Sequence, residues 1–276
     1  MKLQIFIILF GFLFIINIWG CGEFFININT NEEWIIRSKD NIVVHYRPER
    51  YTNTPSPTDS IVNIILDNKN HFYELIMDTL DIKFSDNILV YLYNSGEAYQ
   101  KIDRSKGGYA ITEMLSYYWV YDGRPRIHPN GRTIFAGGAH ELVHVITGQV
   151  LGKPGTHALD EGYAVAIDGR SVNTVFEDGF LRYRTVVELM DEYFKNGIVL
   201  KPGKLLYKIE FNEYYYANAG FFTMFLFESY GIEITNQLFP VPESKFRQRF
   251  FELTGVTFEE MEQIYLDYCD DMFGAG

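Results

Sequence analysis

Cysteine is almost absent from this chain. There are two, Cys21 and Cys269, and no C-x-x-C pair. That excludes a thiolate-rich structural zinc knot and dithiol redox chemistry. Cys269 is expected to be a buried apolar residue of the last helix. Positive charge is also scarce: 24 Lys and Arg stand against 36 Asp and Glu, for a net charge of −12. No basic patch is there to neutralise phosphates, so nucleic acid is not an expected partner. Internal repeats are missing too. A long apolar run occurs only near the N-terminus, and it falls short of the roughly 20 residues that span a bilayer.

That run defines the first segment. Lys2 precedes apolar residues from Ile5 to Trp19, the pattern of a signal peptide. Ile18-Trp19-Gly20-Cys21 resembles a bacterial lipobox, in which the cysteine becomes the lipid-bearing terminus. Residues 1–21 are therefore expected to be a signal peptide ending at a lipidated Cys21, and Asn-rich residues 22–33 a tether. A plain cleaved signal and an uncleaved anchor are the alternatives. All three put the remaining chain outside the cytoplasm, in the cell envelope, and the first anchors it to a membrane.

What is abundant is apolar and aromatic side chains, at 47% and 17%, enough for a sizeable core and too many for disorder. Residues 34–37, 42–46, 88–93, 107–112 and 116–121 read as short strands. A helix follows the caps at Thr58–Ser60, with Ile61, Ile65, Phe72, Ile76 and Leu80 on one face. Residues 95–100 suggest a short helix. Further helices are expected at 134–150, about 158–168, 181–195, 213–229, 232–238, 243–253 and 257–272. The order predicts an α+β fold: a small mixed β-sheet with backing helices, then a helical C-terminal lobe. The boundary between these subdomains, 34–170 and 171–276, falls after the second of the long central helices.

Residues 140–144 read HELVH. On a helix, His140 and His144 project from one face, and two neutral imidazoles at that spacing can reach one Zn²⁺ ion. Glu141 sits beside them, placed to take a proton from an activated water rather than to bind metal. The flanking residues are apolar nearly throughout, and burying two His and a Glu there without partners costs several kcal/mol. A catalytic zinc needs a third protein ligand and an open position. The metzincin continuation H-E-x-x-H-x-x-G-x-x-H fails, because Thr147 and Val150 stand where Gly and His belong. Three candidates remain: Glu161 in LDEGYA, Asp160 and His157. The stretch Gly152-Lys153-Pro154-Gly155 offers the turn that would bring a second helix back past the metal.

HELVH followed by LDEGYA resembles the gluzincins, zinc metallopeptidases whose third ligand is the Glu of an E-G-x-A helix. The clan includes thermolysin-like and aminopeptidase-N-like enzymes, and the chain is most similar to the peptidase MA-like domain family. The likeness runs through NIVVHY, ILVYLY, GGYA and the two motifs to Tyr216-Ala217-Asn218-Ala219-Gly220-Phe221 and Tyr230-Gly231. It implies a zincin-like fold and one zinc ion on His140, His144 and Glu161. It also implies Glu141 as general base and Tyr216 as the phenol that steadies the oxyanion. Peptide or protein would be the substrate, laid beside an edge strand, here expected at Tyr117–Tyr121.

The residues agree with that ligand set. Gly162 and Ala164 are small enough to let the Glu161 helix approach the zinc helix. Asp160 lies about 100° further round the helix, where it can accept the remaining N–H of a ligand His; as the third ligand it is the minor alternative. His45, His71 and His128 have no ligand spacing and read as ordinary surface or core residues. The expected function is an exported zinc metallopeptidase. A cell-surface zinc-binding lipoprotein that keeps a zincin fold without catalysis is the alternative.

Overall fold

Strand β1 (Ile35–Lys39) turns through Asp40 and Asn41 into β2 (Ile42–Tyr46), and the two pair antiparallel. Successive side chains of β2 point to opposite faces, which buries Ile42, Val44 and Tyr46 and leaves Val43 and His45 half-buried. Helix α1 (Asp59–Leu80), capped by the Thr58 side chain, crosses over to β3 (Ile88–Asn94), which runs parallel to β2. Its inner stripe, including Val62, Ile65, Phe72 and Ile76, joins Ile42, Val44, Val90 and Leu92 in one core. In this computed structural model residues 34–47, 56–94, 108–207 and 213–274 are described, and they belong to one compact unit. The expected signal peptide, Cys21, the tether and the helix at 95–100 lie outside the described residues.

The first sheet has the order β1-β2-β3-β5-β4, with β4 (Gly108–Ile111) and β5 (Ser116–Tyr121) antiparallel. The expected substrate edge at Tyr117–Tyr121 is thus corrected. Strand β5 is paired on both sides, to β3 and to β4, and β4 is the edge. The sequence misled because YYWVY is the more apolar of the two, and a central strand is the one buried on both faces.

A second sheet was not foreseen. Strands β6 (Arg126–Ile127), β7 (Thr133–Ile134), β8 (Arg170–Glu177) and β9 (Phe180–Thr185) form it in the order β7-β6-β9-β8. Two expected helices lose their first turns to it. The helix expected at 134–150 begins at His140, because Ile134 is in β7 and Gly137 takes φ +67°, which no helix accommodates. The helix expected at 181–195 begins at Val186, where Thr185 and Glu188 close a capping box. The missed signal was Asp178-Gly179 between β8 and β9. Both residues take positive φ, the two-residue turn that suits a hairpin.

The remaining elements are helical: α2 (His140–Val150), α3 (His157–Asp168), α4 (Val186–Lys195), α5 (Pro202–Tyr207), α6 (Glu213–Tyr230), α7 (Ile232–Leu238), α8 (Glu243–Thr254) and α9 (Phe258–Phe273). The fold is α+β, as the sequence predicts. Cys269 is buried in α9 with a free thiol. Among the described residues no helix is long and apolar enough to cross a membrane.

Candidate metal centre

Helix α2 carries the HELVH residues on its first turns. Leu142, Val143, Val145 and Ile146 are fully buried and fix its inner face, leaving His140 and His144 half-buried on the other. The chain then turns through residues 152–156. Thr156 caps α3 by accepting from the Leu159 N–H at 3.2 Å, and α3 returns alongside α2. The expected turn and returning helix are both present.

This return brings three ligand atoms together. His140 Nε2 and His144 Nε2 are 3.3 Å apart, and Glu161 Oε2 lies 3.2 Å from the first and 3.6 Å from the second. A tetrahedral ion with bonds of about 2.0–2.1 Å holds its ligand atoms roughly 3.3–3.4 Å apart, so the separations fit one ion. Electrostatics point the same way. Burial by itself would push the Glu161 carboxyl up, yet the two imidazoles hold it well below the usual carboxylate range. Glu161 Oε2 is buried and accepts no hydrogen bond; His140 Nε2 stands close to it but without hydrogen-bond geometry. The oxygen faces the two imidazole nitrogens and nothing else that donates to it, which suits it to share an ion with them. His140, His144 and Glu161 together can hold a metal ion.

The other candidates sort by geometry. Asp160 Oδ1 lies 2.9 Å from His144 Nδ1, the nitrogen turned away from the cluster. It accepts a hydrogen bond from Nδ1–H, so a metal ion would take the place of the proton on Nε2. Burial disfavours the charged His144 ring, but Asp160 and Glu161 outweigh it and raise the ring well above the ordinary histidine value. His157 opens α3 and stacks on Tyr215, and its Nε2 is 3.9 Å from Glu161 Oε1.

Glu141 is half-buried beside the cluster, and its charge acts on Lys69, Tyr117 and Tyr216. Of the Tyr214–Tyr216 run, Tyr216 is the phenol on which both Glu161 and Glu141 act. Burial first, then the charges of Glu161, Glu141 and Asp160, push it up to about 12, so it stays a hydrogen-bond donor at neutral pH. Tyr215 turns away and donates to the Leu205 carbonyl at 3.2 Å, and Tyr214 packs edge-on against Tyr193.

Gly162 serves a different neighbour from the one expected. A Cβ there would overlap Thr223 Oγ1 and the Ala219 carbonyl, both on α6. On the facing helix, a Cβ at Gly220 would overlap Val165. The close crossing is therefore between α3 and α6, and it sets Tyr216 next to Glu161.

One more buried group, without ligand spacing in the sequence, stands near the cluster. His128 is buried, and its Nε2 lies 3.1 Å from Asp168 Oδ1 beneath the start of α2. Asp168 ends the helix that begins near Glu161, a position that periodicity marks only as core. No family model matches the chain, and no curated protein matches it.

Proposed function

We propose that the protein is a zinc-dependent metallopeptidase of gluzincin type on a zincin-like fold. One observation carries the reading: a buried carboxylate oxygen of Glu161, with no hydrogen bond, converges with two imidazole nitrogens at the edge lengths of a tetrahedral site. Two His and one carboxylate are the donor set of catalytic rather than structural zinc, which is closed by four protein ligands. When bound there, zinc supplies Lewis-acid activation of a water and polarises a substrate carbonyl.

The chain's own groups do the rest. The Glu141 carboxylate takes the proton of the attacking water and hands it to the departing amine nitrogen. The Tyr216 hydroxyl, held protonated, donates to the oxygen that gains charge as the carbonyl becomes tetrahedral. Asp160 holds the His144 ring in the tautomer that frees Nε2. Strand β4, which with β1 is an edge of the first sheet among the described residues, offers backbone groups to an extended peptide. Export and a lipid anchor at Cys21 belong to the same reading and rest on the pattern of Lys2, the apolar run and Gly20-Cys21.

The test is metal content and cleavage together. The purified protein, reconstituted with Zn²⁺, is expected to hold one ion and to cleave members of a broad peptide library. Glu141→Gln should keep the ion and lose about 10²–10⁴-fold in kcat, the usual contribution of a general base. A protein that takes up no zinc refutes the site. One that binds zinc and cleaves nothing is instead the non-catalytic zinc-binding lipoprotein.

A further inference from the structure

Helix α2 starts without a local cap. Ala139 occupies the cap position, and no side chain there accepts from the first turn. Helix starts normally carry Ser, Thr, Asp or Asn for that purpose, since their first N–H groups have no partner within the helix. The acceptor comes instead from the far end of the other ligand helix. Asp168, the last residue of α3, is buried, and its Oδ1 accepts from the Ala139 N–H at 2.5 Å.

The carboxylate is itself held from three sides. His128 Nδ1 accepts from the Asn130 N–H at 3.3 Å, which puts the ring proton on Nε2, facing Asp168 Oδ1 at 3.1 Å. Arg170 pairs with Oδ2 through Nε, and its guanidinium rests over the Tyr183 ring at 4.5 Å. Gly138 leaves the room, because a Cβ there would overlap the carboxylate. On the opposite side of the same turn, the buried Lys69 of α1 donates to the Gly137 and Gly138 carbonyls at 3.0 and 2.7 Å.

We propose that Asp168 is the positioning residue of the metal centre: by tying the start of α2 to the end of α3, its carboxylate sets His140 and His144 in register with Glu161. The proposal rests on the metal-site reading above. Ala139 directly precedes His140, and Asp168 lies two turns along the same helix from Glu161. A shift of either helix end would change both His–Glu161 separations at once, while the His140–His144 spacing within α2 stayed as it is. Asp168 touches no reacting group, so its effect reaches the metal through the helices.

The experiment is a Co²⁺ titration of the full-length protein and of Asp168→Ala and Asp168→Asn, against a competing chelator, well below the melting temperature of each. The visible band of bound Co²⁺ reports ligand geometry, which a loss of global stability alone does not alter. Asp168→Ala is expected to bind about 10–100-fold more weakly, the range for groups that orient metal ligands, with a shifted band. Asp168→Asn keeps an oxygen for the Ala139 N–H and should recover part of both. Folded Asp168→Ala with the parent's affinity and band overturns the proposal. Should neither Asp168 variant fold, His128→Phe carries the test, with a smaller loss expected in the same direction and an unchanged band overturning it. A parent that takes up no Co²⁺ refutes the metal site itself, and the proposal with it.

Discussion

At the scale of single residues, burial and neighbouring charges set the protonation of the groups around the candidate site. Tyr216 is kept a donor by burial and by three neighbouring carboxylates. Tyr216→Phe is therefore expected to lower kcat by about 10²-fold with little change in KM, since the lost hydrogen bond matters only as charge develops; steady-state kinetics on one cleaved peptide measure the split. Lys69 shows the opposite effect. Burial pushes its amine down to about 7 from an ordinary 10.5, although Asp168 and Glu141 pull the other way. The unfolded chain then holds the extra proton between pH 7 and 10.5, so the contribution of Lys69 to stability rises with pH across that window, against the opposite slope from the raised His144 ring. Urea unfolding of the parent and of Lys69→Met at pH 7, 8 and 9 should show that rise as the difference between their slopes. An unaltered slope in the variant would mean the lysine stays charged inside the protein.

Elements set what residues alone cannot. The apolar spacing of α1 was legible because it follows one helical period, and β2 because β-branched residues cluster beside a turn; the structure has both where the sequence puts them. The start of α2 was not legible, because Gly137-Gly138 interrupts an apolar stretch that otherwise keeps helical spacing. The hairpin β8–β9 was legible only through Asp178-Gly179, and the capping box of Thr185 and Glu188 was the local mark of where the following helix starts. The crossing of α3 on α6 is the element-scale contact with the clearest consequence. Gly162→Ala improves helix propensity by up to about 1 kcal/mol, but the added methyl meets the Ala219 carbonyl at 2.8 Å and overlaps Thr223. The clash wins, and a net loss of about 1–3 kcal/mol is expected in denaturant unfolding. Activity should fall further than stability, because α6 carries Tyr216.

Across the whole molecule, the C-terminal helices lock the ligand helices in place. Asn236 of α7 donates to the Leu80 carbonyl at the end of α1 and accepts from the Tyr163 hydroxyl on α3. The Gly155 N–H, in the turn between the ligand helices, donates to the Phe239 carbonyl. Metal binding is thereby linked to global stability, because an ion held by both helices binds the folded chain and not the unfolded one. Zinc at 100 times its dissociation constant should add about 2.7 kcal/mol. Thermal melts with zinc and with excess chelator read this directly, and His144→Ala should abolish the difference. Coincident melts of the parent would show that no ion binds the native state.

The sequence by itself determined the α+β class, the helix that carries His140 and His144, the turn and returning helix with Glu161, and the exclusion of thiolate chemistry. Each is a matter of local period, residue type or spacing, which a linear chain displays. Only the tertiary structure decided that Asp160 reaches the outward nitrogen of His144, that Gly162 packs on α6 and that β4 is the sheet edge. It also decided that Asp168 and His128 stand under the start of α2. Those facts depend on which elements face each other, and residues such as Asp168 and Ala139, 29 positions apart, carry no local mark of the bond between them.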